Sequence, residues 1–258
     1  MPEVSAHVPM TPGWIDIGTD VEGAKAFYTA LFGWETADAG PPEESGGYGF
    51  FLKGGKMIAG FGPQQNPGPP AWATYVIVPS ADDVAAKVTS AGGQVIVPPM
   101  EVMGAGTMGV FTDAQGAFIS VWQPAQHTGA QVVREPSAFT WCELATRDVA
   151  GSKAFYASVF GWGADTSGED SPMPYTEFKV GGESVAGMME MDANMPAEVP
   201  PHWLVYVEVA DTDASASQAV SLGGSVMVPG TDFPGGRFAI ITDPQGAALG
   251  LMTPAPQG

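Results

Sequence analysis

The amino-acid sequence contains the same pattern twice, and this restricts the folds that the chain can adopt. The segment Ala24–Tyr28, followed closely by a Phe-Gly-Trp triplet, returns as Ser152–Tyr156, followed by the same triplet. A second shared block, Thr-Asp-x-Gln-Gly-Ala, occurs at Thr112–Ala117 and again at Thr242–Ala247. The spacing far exceeds the roughly 20 to 50 residues of a solenoid repeat. We therefore predict that two copies of one domain fill the 258 residues.

The positions of the shared blocks predict where the two domains begin and end. We predict a first domain at residues 10–124, a linker at residues 125–136 and a second domain at residues 137–255. Each predicted domain lies close to the commonest domain size of about 100 to 150 residues. Each is therefore long enough to form a core of its own.

Within each repeat, the apolar residues predict the same short module twice. In Gly13–Ile17, apolar and polar residues alternate as in a strand, and Asp20 follows where a helix N-cap belongs. Helical spacing continues to Gly33, and after a predicted loop at 39–47 the pattern indicates a hairpin. The order of strand, helix and further strands restarts at Ala73. The chain is therefore predicted to have an α+β fold of four βαβββ modules.

Charge and composition exclude several classes of partner. Nine Lys and Arg residues face 28 Asp and Glu residues, and the net charge of −19 would repel a phosphate backbone, so no nucleic-acid partner is expected. No apolar run approaches the roughly 18 residues that span a bilayer, and no secretory signal is evident, so we expect no membrane association and a cytoplasmic protein. The single Cys142 excludes an intrachain disulfide and a multi-thiolate metal site.

The motifs resemble those of the vicinal oxygen chelate superfamily, which includes glyoxalase I, bleomycin-resistance proteins, fosfomycin-resistance enzymes and extradiol dioxygenases. The resemblance is carried by Asp20 and Asp148 ahead of the helices, by the Phe-Tyr and Phe-Gly-Trp motifs, and by Asp243–Gly246 ahead of the last strand. Within the superfamily, the chain is most similar to two-domain glyoxalase-like proteins of actinobacteria, some of which are labelled hydroxylases. The resemblance implies tandem domains whose modules pair into curved sheets that enclose cup-shaped pockets.

The resemblance also implies where a divalent metal would be held, and the usual ligands are missing there. The three ligand positions, taken in both repeats, fall on or near Trp14 and Trp141, Ala73 and Leu204, and Ser120 and Gly250. Because such sites need several imidazole or carboxylate ligands in one place, we expect no cofactor. The alternative is a divalent-metal site made of acids that do not align with the family, such as Asp16 with Glu143 across the repeats.

Strand alternation predicts what lines the cups instead, because side chains two apart on a strand share a face. The predicted substrate-binding residues are Trp14, Trp141, Tyr75, Tyr206, Glu208, Phe118, Ser120 and Trp122. A concave, mostly apolar site of this kind can hold a flat organic molecule by stacking, while a few polar groups orient it. The alternative interpretation is that the tryptophans and tyrosines are large core residues.

Three side chains are candidates for catalysis, namely Glu143, His202 and Asp16. An acid between apolar residues inside a strand is costly to bury, so each acid has either a role in the site or a structural hydrogen bond. His202 is either an exposed residue without a role or a general acid or base with Glu143 or Glu208 as its partner. Since Glu143, His202, Tyr206 and Glu208 occur together there, we expect the second repeat to be the functional one.

Three functions remain open at this point. The first is binding, or metal-free transformation, of a hydrophobic and aromatic small molecule such as a quinone, a polyketide or an antibiotic. The second is a metal-dependent lyase or dioxygenase. The third is a non-catalytic sequestering or accessory protein, as in bleomycin resistance. In all three cases the expected partner is a small ligand, and the expected state is a monomer or a homodimer.

Overall fold

The computed structural model describes residues 4–65, 68–168, 174–192 and 195–255. The first repeat forms β1 (Thr11–Thr19), α1 (Val21–Phe32), β2 (Glu35–Asp38), α2 (Pro42–Ser45), β3 (Gly49–Lys53), β4 (Lys56–Pro63), β5 (Ala71–Ile77), α3 (Ala81–Ser90), β6 (Gln94–Val102), β7 (Gly106–Thr112) and β8 (Phe118–Pro124). The second repeat forms β9 (Phe139–Thr146), α4 (Val149–Phe160), β10 (Gly163–Ser167), β11 (Tyr175–Val180), β12 (Glu183–Glu190), β13 (His202–Glu208), α5 (Thr212–Ser221), β14 (Ser225–Phe233), β15 (Gly236–Thr242) and β16 (Ala248–Pro254).

Each repeat folds into its own mixed sheet of eight strands. The strand order is β2-β3-β4-β1-β5-β8-β7-β6 in the first sheet and β10-β11-β12-β9-β13-β16-β15-β14 in the second. The two modules of a repeat meet where β1 pairs antiparallel with β5, and likewise where β9 pairs with β13. The predicted α+β fold of tandem glyoxalase-like domains with four modules is confirmed. The modules pair within a repeat, a point that the sequence pattern left open.

The long helices after β1 and β9 begin and end as the sequence predicts, with one difference. The side chain of Asp148 accepts a hydrogen bond from the backbone N–H of Gly151 at 2.8 Å, as an N-cap does. Asp20 occupies the equivalent position without such a side-chain bond, and its own backbone N–H donates to Gln245 Oε1 at 2.9 Å. Both helices stop at a glycine with positive φ, Gly33 at 70° and Gly161 at 73°, which other residues adopt at a cost.

The faces of the two sheets that carry the helices share one apolar core. Ile15 of β1 and both Cys142 and Leu144 of β9 are buried in the same cluster. Cys142 therefore faces the core, as alternation predicts, and burial raises the pKa of its thiol. Because neighbouring residues on a strand point to opposite faces, Asp16 and Glu143 point away from this core on opposite sides of the molecule. The two cups therefore open in opposite directions.

The repeated Thr-Asp-x-Gln-Gly-Ala block links the two repeats to each other. Tyr28 of α1 donates its hydroxyl hydrogen to Asp243 Oδ2 at 3.0 Å, and Tyr156 of α4 donates to Asp113 Oδ2 at the same distance. The other oxygen of each aspartate accepts backbone N–H groups of its own turn. Each block thus forms its own turn and binds the first helix of the other repeat.

The loop predicted at 39–47 contains the one-turn helix α2, which starts after Pro41 with proline at its first position, a place where a missing N–H costs nothing. Within the described ranges, no helix has both the length and the apolar character needed to cross a membrane.

Candidate functional site

The floor of the second cup holds a carboxyl group between two phenols. Tyr206 of β13 donates to Glu143 Oε1 at 3.3 Å, and the hydroxyl of Tyr175 on β11 also hydrogen-bonds the Glu143 carboxyl. The indole N–H of Trp141 donates to Tyr175 Oη at 3.0 Å. Trp141 and Glu143 lie two residues apart on β9 and therefore share the cup face. These four residues form a connected polar network on an aromatic surface.

The first cup contains the same network from the equivalent residues. Tyr48 and Tyr75 both donate to Asp16 Oδ2 at 3.0 Å. Trp14 Nε1 donates to Tyr48 Oη at 3.3 Å. We call this set of a tryptophan, a tyrosine, an acid and a second tyrosine the Trp-Tyr-acid-Tyr cluster, and each repeat has one copy.

A glycine on the neighbouring strand makes room for each cluster. In the parallel pairing, Gly60 of β4 lies beside Asp16 and Gly187 of β12 lies beside Glu143. A Cβ atom at Gly60 would overlap the hydroxyl of Tyr48, and one at Gly187 would overlap the hydroxyl of Tyr175. The phenols can therefore lie over the sheet and reach the acids only because these two positions have no side chain.

Burial changes the proton affinity of both acids. It raises the pKa of Asp16 to about 6, although the hydrogen bonds from Tyr75 and Tyr48 act in the opposite direction. Burial also raises the pKa of Glu143 above its ordinary value, opposed by the hydrogen bonds from Tyr175 and Tyr206. The tyrosine pKa values are raised in turn by burial and by the nearby carboxylates. The phenols therefore remain protonated at neutral pH and act as donors.

The second cluster is open to solvent on its tryptophan side. Trp141, Glu143 and Tyr175 are partly exposed, whereas Tyr206 is buried. The wall beyond them is apolar and also partly exposed. It consists of Phe233, Phe238 and Met252, and the Phe238 ring lies 6.4 Å from Tyr206 and 5.9 Å from Phe233 between centroids. The second cup is thus an accessible aromatic surface with one acid at its centre.

The first cluster is covered by the segment that joins the repeats. The ring of His127 packs edge-on against Trp14 with centroids 4.3 Å apart, and the His127 carbonyl accepts the indole N–H of Trp122 at 2.7 Å. Ala130 is also buried there, and its carbonyl oxygen lies 2.8 Å from His7 Nε2. As a result, Trp14 is only 2% exposed and Trp122 only 6%. Burial lowers the pKa of His127 to about 4, so this ring is neutral at pH 7.

The predicted candidates on β8 have different surroundings. Ser120 is buried and hydrogen-bonds Tyr75, so it is part of the first cluster's support. Trp122 belongs to the closed end of the first cup. Phe118, the first residue of β8, pairs with Thr112 and is 56% exposed. The structure therefore brings Trp14, Tyr75, Ser120 and Trp122 into one cup, and Phe118 lies outside its packed part.

The other two polar candidates of the second repeat lie apart from the cluster. His202 is opposite Ala145, and its Nδ1 lies 2.9 Å from the carbonyl oxygen of Pro200. Glu208 accepts a hydrogen bond from Thr140 at 3.3 Å, and the ion pair between Lys53 and Glu135 lies near enough to affect its pKa. In the described part of the chain, neither residue is hydrogen-bonded to Glu143. Glu208 faces the linker end of the cup.

Tyr48 and Tyr175 are the cluster members that the sequence analysis missed. Tyr48 directly follows the loop predicted at 39–47, and alternation along β1 does not predict the direction of its side chain. The signal that could have identified both is the repeat itself, since Tyr48 directly precedes β3 and Tyr175 is the first residue of β11, and each of these strands pairs with a glycine-containing strand. Their reach across the sheet depends on the register of β3 and β11, which the local sequence does not encode.

The residues present do not fit a divalent metal of the family type. A Cβ atom at Gly250 would overlap the ring of Tyr206, so this ring fills the space of a ligand from the last strand. The alternative site made of Asp16 and Glu143 is not assembled, because these acids face opposite sides of the molecule. Among the residues that the structure describes, no group of three or more His, Cys, Asp or Glu side chains converges in a way that could hold a metal ion.

Two surface cavities lie outside both cups. One of about 280 Å³ lies between α1 and α5 and is lined by residues such as Leu31, Val209 and Gln218. The other, of about 240 Å³, is lined by Val4, Ser5, Lys56 and Gln131. Neither includes a residue of a Trp-Tyr-acid-Tyr cluster.

The duplicated modules and paired cups define a two-domain protein of the glyoxalase-like class. Residues 17–121 and 138–251 match the family model described as Glyoxalase/Bleomycin resistance protein/Dioxygenase superfamily. The chain belongs to this superfamily, and the resemblance derived from its motifs is confirmed.

Two relatives cover nearly the whole chain. The sequence is 39% identical over 264 residues to the protein named "Putative glyoxylase CFP32" of Mycobacterium tuberculosis (strain CDC 1551 / Oshkosh), with 100% of both chains covered. It is 36% identical over 266 residues to the anthracycline biosynthesis protein DnrV of Streptomyces peucetius, with 96% of this chain and 95% of that protein covered.

Solved structures of low sequence identity share the fold. The Mn(II)-bound glyoxalase from Novosphingobium aromaticivorans superimposes with a TM-score of 0.64 at 16% identity, over 95% of this chain and 82% of that one. The 2,2',3-trihydroxybiphenyl 1,2-dioxygenase from Sphingomonas wittichii strain RW1 has a TM-score of 0.63 at 13% identity, over 95% and 91%. At such identities, the likeness concerns the fold alone.

Proposed function

We propose that the protein binds a flat, hydrophobic aromatic metabolite in the second cup and that it does so without a metal ion. The observation that carries this proposal is the exposure of the second Trp-Tyr-acid-Tyr cluster beside an apolar wall. A partly exposed tryptophan supplies a face for stacking, and the acid and phenols beside it supply the few polar groups that orient a ligand.

The polar centre has room for further hydrogen bonds. An ionised carboxylate offers about four lone-pair sites, and Glu143 uses two of them for Tyr175 and Tyr206. A phenolic or enolic hydroxyl of a ligand can therefore donate to Glu143. When the single O–H of the partly exposed Tyr175 turns away from Glu143, it can donate to a carbonyl oxygen of the same ligand. The matching ligand class is an aromatic ring system with hydroxyl and carbonyl groups, as in quinones and polyketides.

The relative from Streptomyces peucetius supports this ligand class. That protein is named for anthracycline biosynthesis, and an anthracycline contains a flat fused ring system of the kind described above. The metal-free part of the proposal is supported by the donor set, since the family ligand positions fall on or near tryptophan, alanine, leucine, serine and glycine.

Metal analysis tests the metal-free part directly. Protein purified without chelator and without added metal is measured by plasma mass spectrometry for iron, zinc, manganese and nickel. We expect far less than one ion per chain. About one ion per chain, removed together with ligand binding by a chelator, would overturn the metal-free part of the proposal.

Ligand binding is tested with 1,8-dihydroxyanthraquinone. All seven tryptophans lie in the described ranges, and six of them are buried, so Trp141 is the tryptophan that a bound quinone would quench. We expect saturable quenching that disappears in Trp141→Phe and persists in the matched variant Trp14→Phe. Calorimetry supplies the affinity independently of fluorescence, and Glu143→Ala should weaken it about tenfold, the equivalent of about 1.4 kcal/mol.

Two results would contradict the proposal. One is the absence of measurable binding by calorimetry. The other is binding that is weakened by Trp14→Phe or Asp16→Asn but not by Trp141→Phe or Glu143→Ala, which would assign the ligand to the first cup.

A further inference from the structure

The second cluster holds more polar groups than orientation of a flat ligand requires. Its acid is half-buried, one of its phenols is buried and the other is partly exposed, and the exposed phenol itself accepts the indole N–H of Trp141 at 3.0 Å. A proton acceptor and a polarised O–H donor thus lie side by side on the floor of one cup. This pairing is what the removal of a proton next to a carbonyl group requires.

We propose that the second cup catalyses keto–enol proton transfer in a bound aromatic ketone, with Glu143 as the base and Tyr175 as the donor to the enolate oxygen. The proposal rests on the function proposed above, because the ketone must first bind in this cup. It adds a reaction and a substrate class, namely ring ketones whose enol is conjugated with an aromatic ring.

The step balances without an oxidant or a metal. The carboxylate of Glu143 takes the proton from the carbon next to the carbonyl group. The electron pair of that C–H bond forms a carbon–carbon double bond, and the π pair of the carbonyl moves to oxygen, which accepts the hydrogen bond of Tyr175. Glu143 then returns the proton either to the same carbon or to the oxygen, and the latter gives the enol or phenol.

The structure assigns different tasks to the two tyrosines. Tyr206 is buried and donates to Glu143 Oε1, so it is a positioning residue that holds the carboxyl group. Tyr175 is partly exposed and can turn its O–H towards a ligand. The hydrogen bond that Tyr175 accepts from Trp141 polarises the phenol, which strengthens the bond that the phenol donates. Burial raises the proton affinity of Glu143, which makes it a stronger base than an exposed glutamate.

The first cup supplies a matched control within the same chain. Asp16 accepts from both Tyr48 and Tyr75 at 3.0 Å on one oxygen, but its cup is covered by His127 and the linker. The chemistry of the first cluster is therefore nearly the same, whereas its access is not. Asp16→Asn should leave the reaction unchanged.

The test uses 2-tetralone, an aromatic ring ketone with exchangeable α-protons. The full-length protein is incubated with it in buffered D2O, and loss of the α-proton signals is followed by proton NMR while calorimetry measures binding. We expect exchange above the buffer background. Glu143→Gln, which keeps the shape of the side chain, should reduce the protein-catalysed exchange by about 100-fold or more with affinity changed less than about threefold. Tyr175→Phe should reduce exchange by about 10 to 100-fold.

The dependence of exchange on pH separates catalysis from a structural role. The exchange rate should rise with pH through an inflection above 4.5, the ordinary glutamate value, and Glu143→Gln should abolish that inflection. A mutation that only loosened the fold would lower the exchange rate at every pH but would keep the inflection.

The outcomes distinguish the two proposals. If neither 2-tetralone nor 1,8-dihydroxyanthraquinone binds, the proposed function fails. If 2-tetralone binds in the second cup but its protons exchange no faster than in buffer, or exchange as fast in Glu143→Gln, the proton-transfer inference is overturned while the binding function stands. Exchange that is lost in Asp16→Asn instead would also overturn it.

Discussion

The two cups contain the same Trp-Tyr-acid-Tyr cluster, yet one is closed and the other is open. In the first cup, Trp14 and Trp122 pack around His127 and are almost fully buried. In the second cup, Trp141 and Met252 hold the corresponding positions and remain partly exposed. The difference lies in what covers the cluster and not in the cluster itself.

The closed end of the first cup also differs in polarity from its counterpart. Ile77 packs beside Trp122 in the first sheet, whereas the equivalent position next to Met252 in the second sheet is Glu208. An apolar residue can be sealed under a linker, but a carboxylate in that place would lose its hydration at considerable cost. The comparison shows how a duplicated domain can keep one cluster as a structural element and leave the other accessible.

The largest difference between the two cups is expected when one phenol is displaced in each. In Gly187→Ala the new Cβ overlaps the Tyr175 hydroxyl, and such overpacking costs about 1 to 3 kcal/mol. We expect the affinity for 1,8-dihydroxyanthraquinone to fall by about 10 to 100-fold. The matched variant Gly60→Ala displaces Tyr48 and should destabilise the fold by a similar amount while leaving the affinity unchanged. Calorimetry and urea unfolding provide the two readouts, and an equal loss of affinity in both variants would contradict the comparison.

The next effect concerns the acid of the closed cup. The folded-state pKa of Asp16, about 6, lies above its ordinary value of 3.8, so the folded state binds this proton more tightly than the unfolded chain. The contribution of Asp16 to stability should therefore decrease by about 3 kcal/mol as the pH rises from about 4 to about 6, and then level off. Urea unfolding of the wild type and of Asp16→Asn at a series of pH values measures this difference. A difference that is independent of pH would show that Asp16 is not held in a desolvated site.

A third change opens the closed cup. Both ring nitrogens of His127 are buried and have no hydrogen-bond partner among the described residues. In His127→Phe, an apolar ring of similar shape should leave stability nearly unchanged, because no unsatisfied polar group remains. His127→Ala leaves a cavity and should cost about 1 to 2 kcal/mol, less than the usual loss for a buried ring, since the polar nitrogens are removed as well. Thermal or urea unfolding measures the stability of both variants. A large loss of stability in His127→Phe would indicate a polar partner for the ring.

The smallest effect concerns the access of a quencher to the tryptophans, which fluorescence reports. Acrylamide should quench mainly Trp141 in the wild type, so Trp141→Phe should remove most of the quenchable fluorescence and Trp14→Phe very little of it. In His127→Ala, a second quenchable component from Trp14 should appear. Equal quenching of the two single variants would mean that the two cups do not differ in access.

Most of the fold could be predicted from the sequence because the signals are local and are repeated. Alternation along β1 and β9 places Trp14 with Asp16, and Trp141 with Glu143, on one face without any tertiary information. The repeat makes each assignment twice and so reduces the chance of error. Asp20 shows the limit of this reasoning, since its N-cap position is occupied while its backbone N–H is bound by Gln245 from the other repeat.

The candidate site was predicted less completely, because its members come from strands far apart in sequence. Tyr175 reaches the cluster through the pairing of β11 with β12 and of β12 with β9. Glu208 shares a strand face with Tyr206 by parity, but the register shift between Tyr206 and Val207 places it beside Thr140 and the linker. Alternation along one strand does not predict where a bulge shifts the pairing of that strand with its neighbour.

The duplication, the order of the modules and the face on which each acid lies follow from the sequence alone, because strand and helix periodicities are properties of the local chain. Three features required the tertiary structure: the phenols of Tyr48 and Tyr175 reach those acids over glycines, the cups open on opposite sides, and the linker covers one of them. These features depend on strand register and on contacts between distant segments, which form when the two sheets share a core. Whether a cup is closed or open therefore depends on the assembled fold, even though both cups contain nearly the same cluster of residues.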